Sequence, residues 1–283
     1  MTIWTELANV EFSLGYVDAG GLRTRTLRAG RGEPVVMLHG TSGHLEAFVR
    51  NIAVLADHVE CHAIDMMGHG YTDSPGQPYR IPGYVRHVLD YLDAVGIERA
   101  HFIGESLGGW VSGRLAADHP ERVLSVTLVA PGGTVANPAV MDRIKTSTRR
   151  AVLSDDIELT RKRLHLLMHD PGNATEELVE VRHAIYHRPE FMANLDHLLC
   201  LQEMNNRRED LLNTEQMARI SAPTRIVWGA ENPFGDIPEA NAMHAAIPGS
   251  ALTIYPQCGH WPQHEHAERF NKETLEFLAG VPR

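Results

Sequence analysis

Two side chains in this sequence can do nucleophilic chemistry if the fold brings them together. One is the serine of Gly104-Glu105-Ser106-Leu107-Gly108; the other is the histidine of Cys258-Gly259-His260-Trp261. A serine hydroxyl is a poor nucleophile until a base removes its proton. The serine motif follows an apolar run, residues 100–103, that reads as a short buried strand, and precedes residues 110–118, which read as a helix. In a strand, tight turn and helix of this kind, G-x-S-x-G strains the serine backbone and lifts Oγ clear at the top of a sheet. Side chains at the flanking positions would clash, hence the glycines, and the helix N-terminus favours developing negative charge. A serine that merely caps the helix is the competing reading. Among seventeen histidines, His260 is the candidate base, because it lies in a loop after the last predicted strand and the preceding glycine lets that loop bend. Most of the other sixteen read as surface residues.

The elements that must position these groups follow from apolar patterning. Residues 10–18 and 22–28, separated by Gly20-Gly21, read as a hairpin. Residues 34–38 are a compact apolar strand opening into His39-Gly40-Thr41-Ser42-Gly43, and residues 59–64 are another strand, ending at Asp65. A helix is expected over 82–95, and strands over 123–129, 224–228 and 251–255, with a closing helix over 267–278. Strands separated by helices indicate a doubly wound, mostly parallel α/β sheet. Between 134 and 219 strand-like runs disappear, and helices are expected over 141–153, 157–168, 175–187 and 189–205. This predicts a core domain of residues 1–133 and 220–283 carrying a helical cap, 134–219.

Composition narrows the function classes. A formal charge of −10 and 22% charged residues argue against a nucleic-acid or anionic-membrane surface. The three cysteines, Cys61, Cys200 and Cys258, show neither a disulfide framework nor metal-ligand spacing, so a reducing compartment and no metal are expected. No run approaches the ~20 apolar residues of a membrane span, and the N-terminal residues lack a secretory pattern. A cytoplasmic protein is the expectation. The glycine turn lacks G-x-G-x-x-G, so no dinucleotide cofactor is expected.

Taken in order, His39-Gly40, Asp65-x-x-Gly68-x-Gly70, Gly-Glu-Ser106-Leu-Gly-Gly and Cys258-Gly-His260-Trp resemble the α/β-hydrolase superfamily over essentially the full length. Residues 258–271, Pro131-Gly-Gly133, residues 175–178 and Arg182 resemble more narrowly the meta-cleavage product hydrolases, which cleave carbon–carbon bonds in ring-opened aromatic catabolites. The resemblance implies a cofactor-free serine hydrolase acting on a 2-hydroxy-6-oxo-hexa-2,4-dienoate, with a homodimer possible. A carboxylesterase using the same Ser-His pair is the alternative; a non-catalytic small-molecule receptor on this scaffold is a more distant one. Relatives in the narrower group commonly carry asparagine before the nucleophile, where this chain has Glu105, a residue common among esterases.

The orienting acid is expected in Gly229-Ala-Glu-Asn-Pro-Phe-Gly-Asp236, after the strand ending near Trp228. The family register puts Asn232 at the aspartate position. Asp236 is favoured on chemistry, since a carboxylate would stabilise the imidazolium, with Glu231 a third choice. The oxyanion donors are expected to be the backbone N–H groups of Leu107 and Thr41, with Gly40 and Ser42 beside the substrate. His39 is expected to brace its loop. The resemblance assigns Arg182 to a substrate carboxylate, which a guanidinium can grip with two parallel hydrogen bonds. Arg188 is its competitor, and Trp261 is expected to pack on the substrate.

Overall fold

The computed structural model describes residues 3–282, apart from the side chain of Trp4. Eight strands form one sheet: β1 (Phe12–Ala19), β2 (Leu22–Ala29), β3 (Pro34–Leu38), β4 (Glu60–Ile64), β5 (Ala100–Glu105), β6 (Val123–Val129), β7 (Thr224–Gly229) and β8 (Ala251–Tyr255). Their spatial order is β1-β2-β4-β3-β5-β6-β7-β8. β1 and β2 are antiparallel to their neighbours, and the strands from β4 to β8 are parallel. The expected hairpin is present: Gly20 and Gly21 turn with positive φ, and Asp18 accepts from the Gly21 amide at 2.7 Å.

The strand sequences explain why both faces are covered. Along β3, Val36 and Leu38 join one apolar cluster while Val35 and Met37 join the other. Side chains alternate across a strand, so a wholly apolar run needs a layer on each side. One face packs α1 (Ile81–Val95) and α2 (Leu107–Asp118); the other carries Phe48, Ile52 and Phe270, the last from the closing helix Ala267–Ala279. From β3 the chain turns to β4 on one side and β5 on the other, so the loops after β3 and β5 meet at the point where strand order reverses. Open α/β sheets bind ligands at this place, beyond the carboxyl ends of the strands.

Asp65, just past β4, ties these loops together. Its Oδ1 accepts from the Leu45 amide at 2.7 Å, its Oδ2 accepts from the Tyr71 amide at 2.9 Å, and the buried Arg25 lies 3.3 Å away. Arg25 also pairs with Glu46 at 2.6 Å, and Glu46 accepts from His44 at 2.7 Å. His39 donates from Nδ1 to the Gly40 carbonyl and accepts from the Met66 amide at Nε2, which braces the β3 loop against the β4 loop as expected.

Between β6 and β7 the described chain holds helices and no strand. α3 (Pro138–Val152), α4 (Ile157–His165) and α5 (Glu176–Tyr186) start at side-chain caps from Asn137, Asp156 and Thr175. The single helix expected over 189–205 is replaced by Pro189–Ala193, Leu195–Leu198, a 3₁₀ turn at Cys200–Gln202, and α6 (Met204–Asp210). Leu198, Leu199, Cys200, Leu201 and Gln202 are all buried, and five consecutive positions cannot share one stripe of a straight helix. The chain breaks so that each can face inward.

Candidate active site

Ser106 joins β5 to α2 with φ 54° and ψ −110°, a conformation that costs a non-glycine residue about 1–3 kcal/mol and persists only where the surroundings impose it. The surroundings are tight. The Ser106 amide donates to the Val129 carbonyl of β6 at 2.9 Å, its own carbonyl accepts from Trp110 and Gly132, both at 3.0 Å, and the Gly108 amide donates to the His39 carbonyl at 3.0 Å. A Cβ on Gly104 would lie 2.2 Å from the Gly108 carbonyl oxygen, and one on Gly108 would lie 2.0 Å from that of Leu38. The motif glycines are therefore set by helix–sheet contact as much as by the turn. Ser106 remains half-buried, whereas Glu105 and Leu107 on either side are buried.

His260 is buried near the carboxyl end of β8. A ladder carries the loops after β7 and β8 alongside each other: Ala230 donates to the Tyr255 carbonyl at 2.8 Å and Glu231 to that of Cys258 at 3.0 Å. This register sets the histidine against Asn232, whose Oδ1 lies 2.9 Å from His260 Nδ1. Asp236, the residue favoured from sequence, is exposed and caps the helix α7 (Ile237–Ala246), accepting from the Glu239 amide at 3.0 Å. The correction has a simple cause: by position 236 the chain has already turned away to start that helix. Glu231 is likewise spent, accepting from the Cys258 amide at 2.8 Å. The Asn232 oxygen also accepts from the Phe234 amide at 3.1 Å. A backbone N–H only donates, so the facing amide atom is oxygen, and the same oxygen accepts from Nδ1–H of His260. The lone pair of the imidazole is then on Nε2. Burial lowers the His260 pKa to about 3, with the Arg163 charge adding to the effect, so the ring is neutral near pH 7.

Two cavities meet at Ser106, Thr41 and His260. The first is lined by apolar groups from α2, α3 and β7, among them Trp110, Val140, Ile144 and Trp228, with Leu107, and by the polar Asn137, Gln202, Arg207 and Glu239. The second is lined by Gly40, Glu105, Arg163, Arg182 and Trp261. Arg182, from α5, is buried; its Nη1 donates to the Tyr186 hydroxyl at 3.4 Å and its guanidinium lies 5.7 Å from the Trp261 ring. Its Nε and Nη2 have no hydrogen-bond partner among the described residues. Buried cations are normally paired, so these donors suit an anionic ligand. Arg188 lies elsewhere, donating to the Gly70 carbonyl and pairing with Glu190 at 3.5 Å. Ser42 is a further correction: it is buried, lines neither cavity, and its hydroxyl bonds that of Tyr186 at 3.0 Å, so it supports the arginine's neighbour rather than a ligand.

Sequence reasoning missed the part played by three residues. Glu105 is buried beside the histidine, its Oε1 3.3 Å from His260 Nε2, and burial pushes its pKa up to about 8. Arg163 of α4 is a second buried guanidinium, its Nη1 unpartnered among the described residues, and burial lowers its pKa. A signal existed: Thr160, Arg163, Leu164 and Leu167 recur at helical spacing, which places an arginine on the packed face. Tyr186 links Arg182 to Ser42.

Residues 33–267 match the family model for the alpha/beta hydrolase fold. Over 262 residues the chain is 33% identical to a 2-hydroxy-6-oxo-6-phenylhexa-2,4-dienoate hydrolase of Burkholderia cepacia, covering 89% of this chain and 90% of that protein. It is 32% identical over 263 residues to a 2-hydroxy-6-oxononadienedioate/2-hydroxy-6-oxononatrienedioate hydrolase of Comamonas testosteroni, with 89% and 90% covered. Among solved structures, a meta-cleavage product hydrolase from Pseudomonas fluorescens IP01 superposes with a TM-score of 0.82 at 26% identity, over 93% of this chain and 97% of that one.

Proposed function

We propose, from the premise that this chain belongs to the alpha/beta hydrolase fold family, that it hydrolyses a carbon–carbon bond in a ring-opened aromatic catabolite of the 2-hydroxy-6-oxo-hexa-2,4-dienoate type. The observation that carries this reading is the buried, incompletely partnered Arg182 in one cavity at Ser106, with the apolar side chains of Trp110, Val140, Leu201 and Trp228 lining the other. A substrate with a carboxylate at one end and an apolar substituent at the other, its reactive carbonyl between, matches that division. In this reading residues 134–219 act as the cap that supplies Arg182 and part of the apolar wall.

The chemistry has two stages. Transfer of the dienol's hydroxyl proton to carbon first gives the keto form, in which the bond next to the distal carbonyl can break because the departing electrons are delocalised onto the new carbonyl. His260, whose Nε2 lone pair is available, then takes the Ser106 Oγ proton as Oγ attacks the distal carbonyl carbon. The Leu107 and Thr41 amides take the role of oxyanion donors, preorganised at the start of α2 and in the β3 loop. Carbon–carbon cleavage sends the bond's electrons to the new carbonyl oxygen, which takes the proton held by His260 and leaves as a 2-hydroxydienoate, and water hydrolyses the acyl-serine to a carboxylic acid. Gly40 and Trp261 border the carboxylate end.

The test is direct. Mixing the protein with a yellow ring-opened dienoate should bleach it, and Ser106→Ala should abolish turnover while leaving dienoate binding. Rapid p-nitrophenyl ester turnover without bleaching would identify a carboxylesterase instead.

A further inference from the structure

The residues around His260 present a charge arrangement that the orienting position does not supply. Asn232 fixes the tautomer but is neutral, so it does nothing to offset the positive charge that the imidazole gains when it takes a proton. On the opposite edge of the ring stands a carboxyl group. Glu105 Oε1 lies 3.3 Å from Nε2, and the group is buried against the β3 loop: a Cβ on Gly40 would lie 2.5 Å from Glu105 Oε2. We infer that Glu105 is the positioning acid of this site, its carboxylate stabilising the imidazolium across the 3.3 Å to Nε2 when His260 takes a proton. This rests on the reading of Ser106 as nucleophile and His260 as base.

The proton inventory follows from the geometry. With Nδ1–H committed to Asn232, the lone pair of the ring lies on Nε2. Glu105 can donate only when protonated. Its burial favours that form near neutral pH, against the pull of Arg182 of α5 and Arg163 of α4 and of hydrogen bonds from the Gly40 amide and the Trp261 side chain. Those two arginines and His260 itself are the charged or titratable groups that line the cavity with it. At rest, then, the proton sits on Glu105 and its carboxyl group is neutral. Loss of that proton to water leaves a carboxylate beside Nε2. In the following step the Ser106 Oγ–H bond breaks, the proton passes to Nε2, Oγ bonds the carbonyl carbon, and the carbonyl π pair moves to oxygen. The imidazolium then faces a carboxylate at 3.3 Å rather than a neutral amide alone. Relative to a histidine backed by an acid at Nδ1, the charge has changed sides of the ring.

The experiment reads serine reactivity without a carbon–carbon substrate. Labelling of Ser106 by a fluorophosphonate is timed from pH 5.5 to 9.5 in the intact protein, in Glu105→Gln, and in the double variant Glu105→Gln/Asn232→Asp. The wild-type rate should rise about tenfold per pH unit and level off above a midpoint near 8, as expected when one deprotonation gates the base. Glu105→Gln should lose this limb and label at least ~30-fold more slowly at pH 9, and the double variant, with its carboxylate returned to the Nδ1 side, should regain at least ~10-fold. Thermal melting confirms that each variant is folded. The inference is overturned if Glu105→Gln keeps the limb or labels within about threefold of wild type, or if the folded double variant is no faster than the single one. Labelling that persists in Ser106→Ala would sink the nucleophile assignment instead, and failure to bleach a dienoate would touch only the substrate.

Discussion

The carbonyl of Leu167 accepts from the His260 amide at 2.6 Å, so the loop that carries the base is fastened to the helical segment above the sheet. Gly259 permits this approach; a Cβ there would stand 2.7 Å from both the Leu167 carbonyl oxygen and the His169 amide nitrogen. The helical segment between β6 and β7 and the loop that carries His260 are thereby mechanically linked.

The first prediction follows from that contact. Gly259→Ala should push the 256–260 loop away from Leu167 and displace the imidazole while leaving the sheet intact. Misplacement of a catalytic group by about 1 Å can cost 10²-fold, so kcat should fall by about that factor with an unchanged circular dichroism spectrum. A variant with wild-type kcat would show that the loop does not depend on the cap contact.

Asn232 and Asp236 separate cleanly by mutation. Asn232→Ala removes the only side-chain acceptor at His260 Nδ1 among the described residues, and should lower kcat by about 10²-fold or more, within the range that general-base contributions span. Asp236→Asn should leave kcat near wild type, because asparagine caps a helix as well as aspartate does. The reverse ranking would restore Asp236 as the orienting acid.

Arg182 and Arg188 also make distinct predictions. Losing hydrogen bonds from a charged group costs about 1.5–3 kcal/mol, so Arg182→Gln should reduce kcat/KM on a dienoate about 10–100-fold, chiefly through KM. Arg188→Gln should not change KM, since that side chain is committed to Gly70 and Glu190. An unchanged KM in Arg182→Gln would remove it from the carboxylate site.

Stability should fall in mild acid. His39, His44, His69, His87, His260 and His264 are buried and held below the ordinary histidine range, in each case chiefly by loss of solvation. The unfolded chain therefore binds more protons than the folded one below about pH 6.5, and stability present above that pH is lost as pH falls toward 4. Glu105 and Asp65, whose pKa values are raised to about 8 and about 6 by burial, and Glu239 and Glu265, raised by the same cause, act in the opposite direction but are fewer. Thermal melts should show Tm falling from pH 6.5 to 4.5; a flat or rising Tm would contradict the neutral, buried assignment.

Much of the fold was legible because its signals are local. The strand at 34–38, the apolar run before Ser106 and the Gly20-Gly21 turn each follow from apolar patterning or turn chemistry over a few residues, and the order of strands and helices fixes the sheet class. The helix expected over 189–205 failed because burial on every side, not periodicity, governs residues 198–202. Arg182 and Arg188 are alike in sequence, and only the cavity distinguishes them.

By itself the sequence determined the nucleophile turn, the late histidine and the scaffold between them, since short-range sterics of glycine, serine and apolar strands dictate these wherever the rest of the chain goes. It left the carboxyl chemistry undecided. Whether Asn232, Glu231 or Asp236 reaches His260 depends on how the loops after β7 and β8 pair, and the ladder through Ala230 and Glu231 decides it in favour of the amide. The place of Glu105 is decided in the same way. Its position beside Ser106 is written in the chain, but its closeness to His260 Nε2 arises only when the ends of β5 and β8, some 150 residues apart in sequence, are held at the same edge of the sheet. Electrostatics act through space, and that distance exists only in the folded molecule.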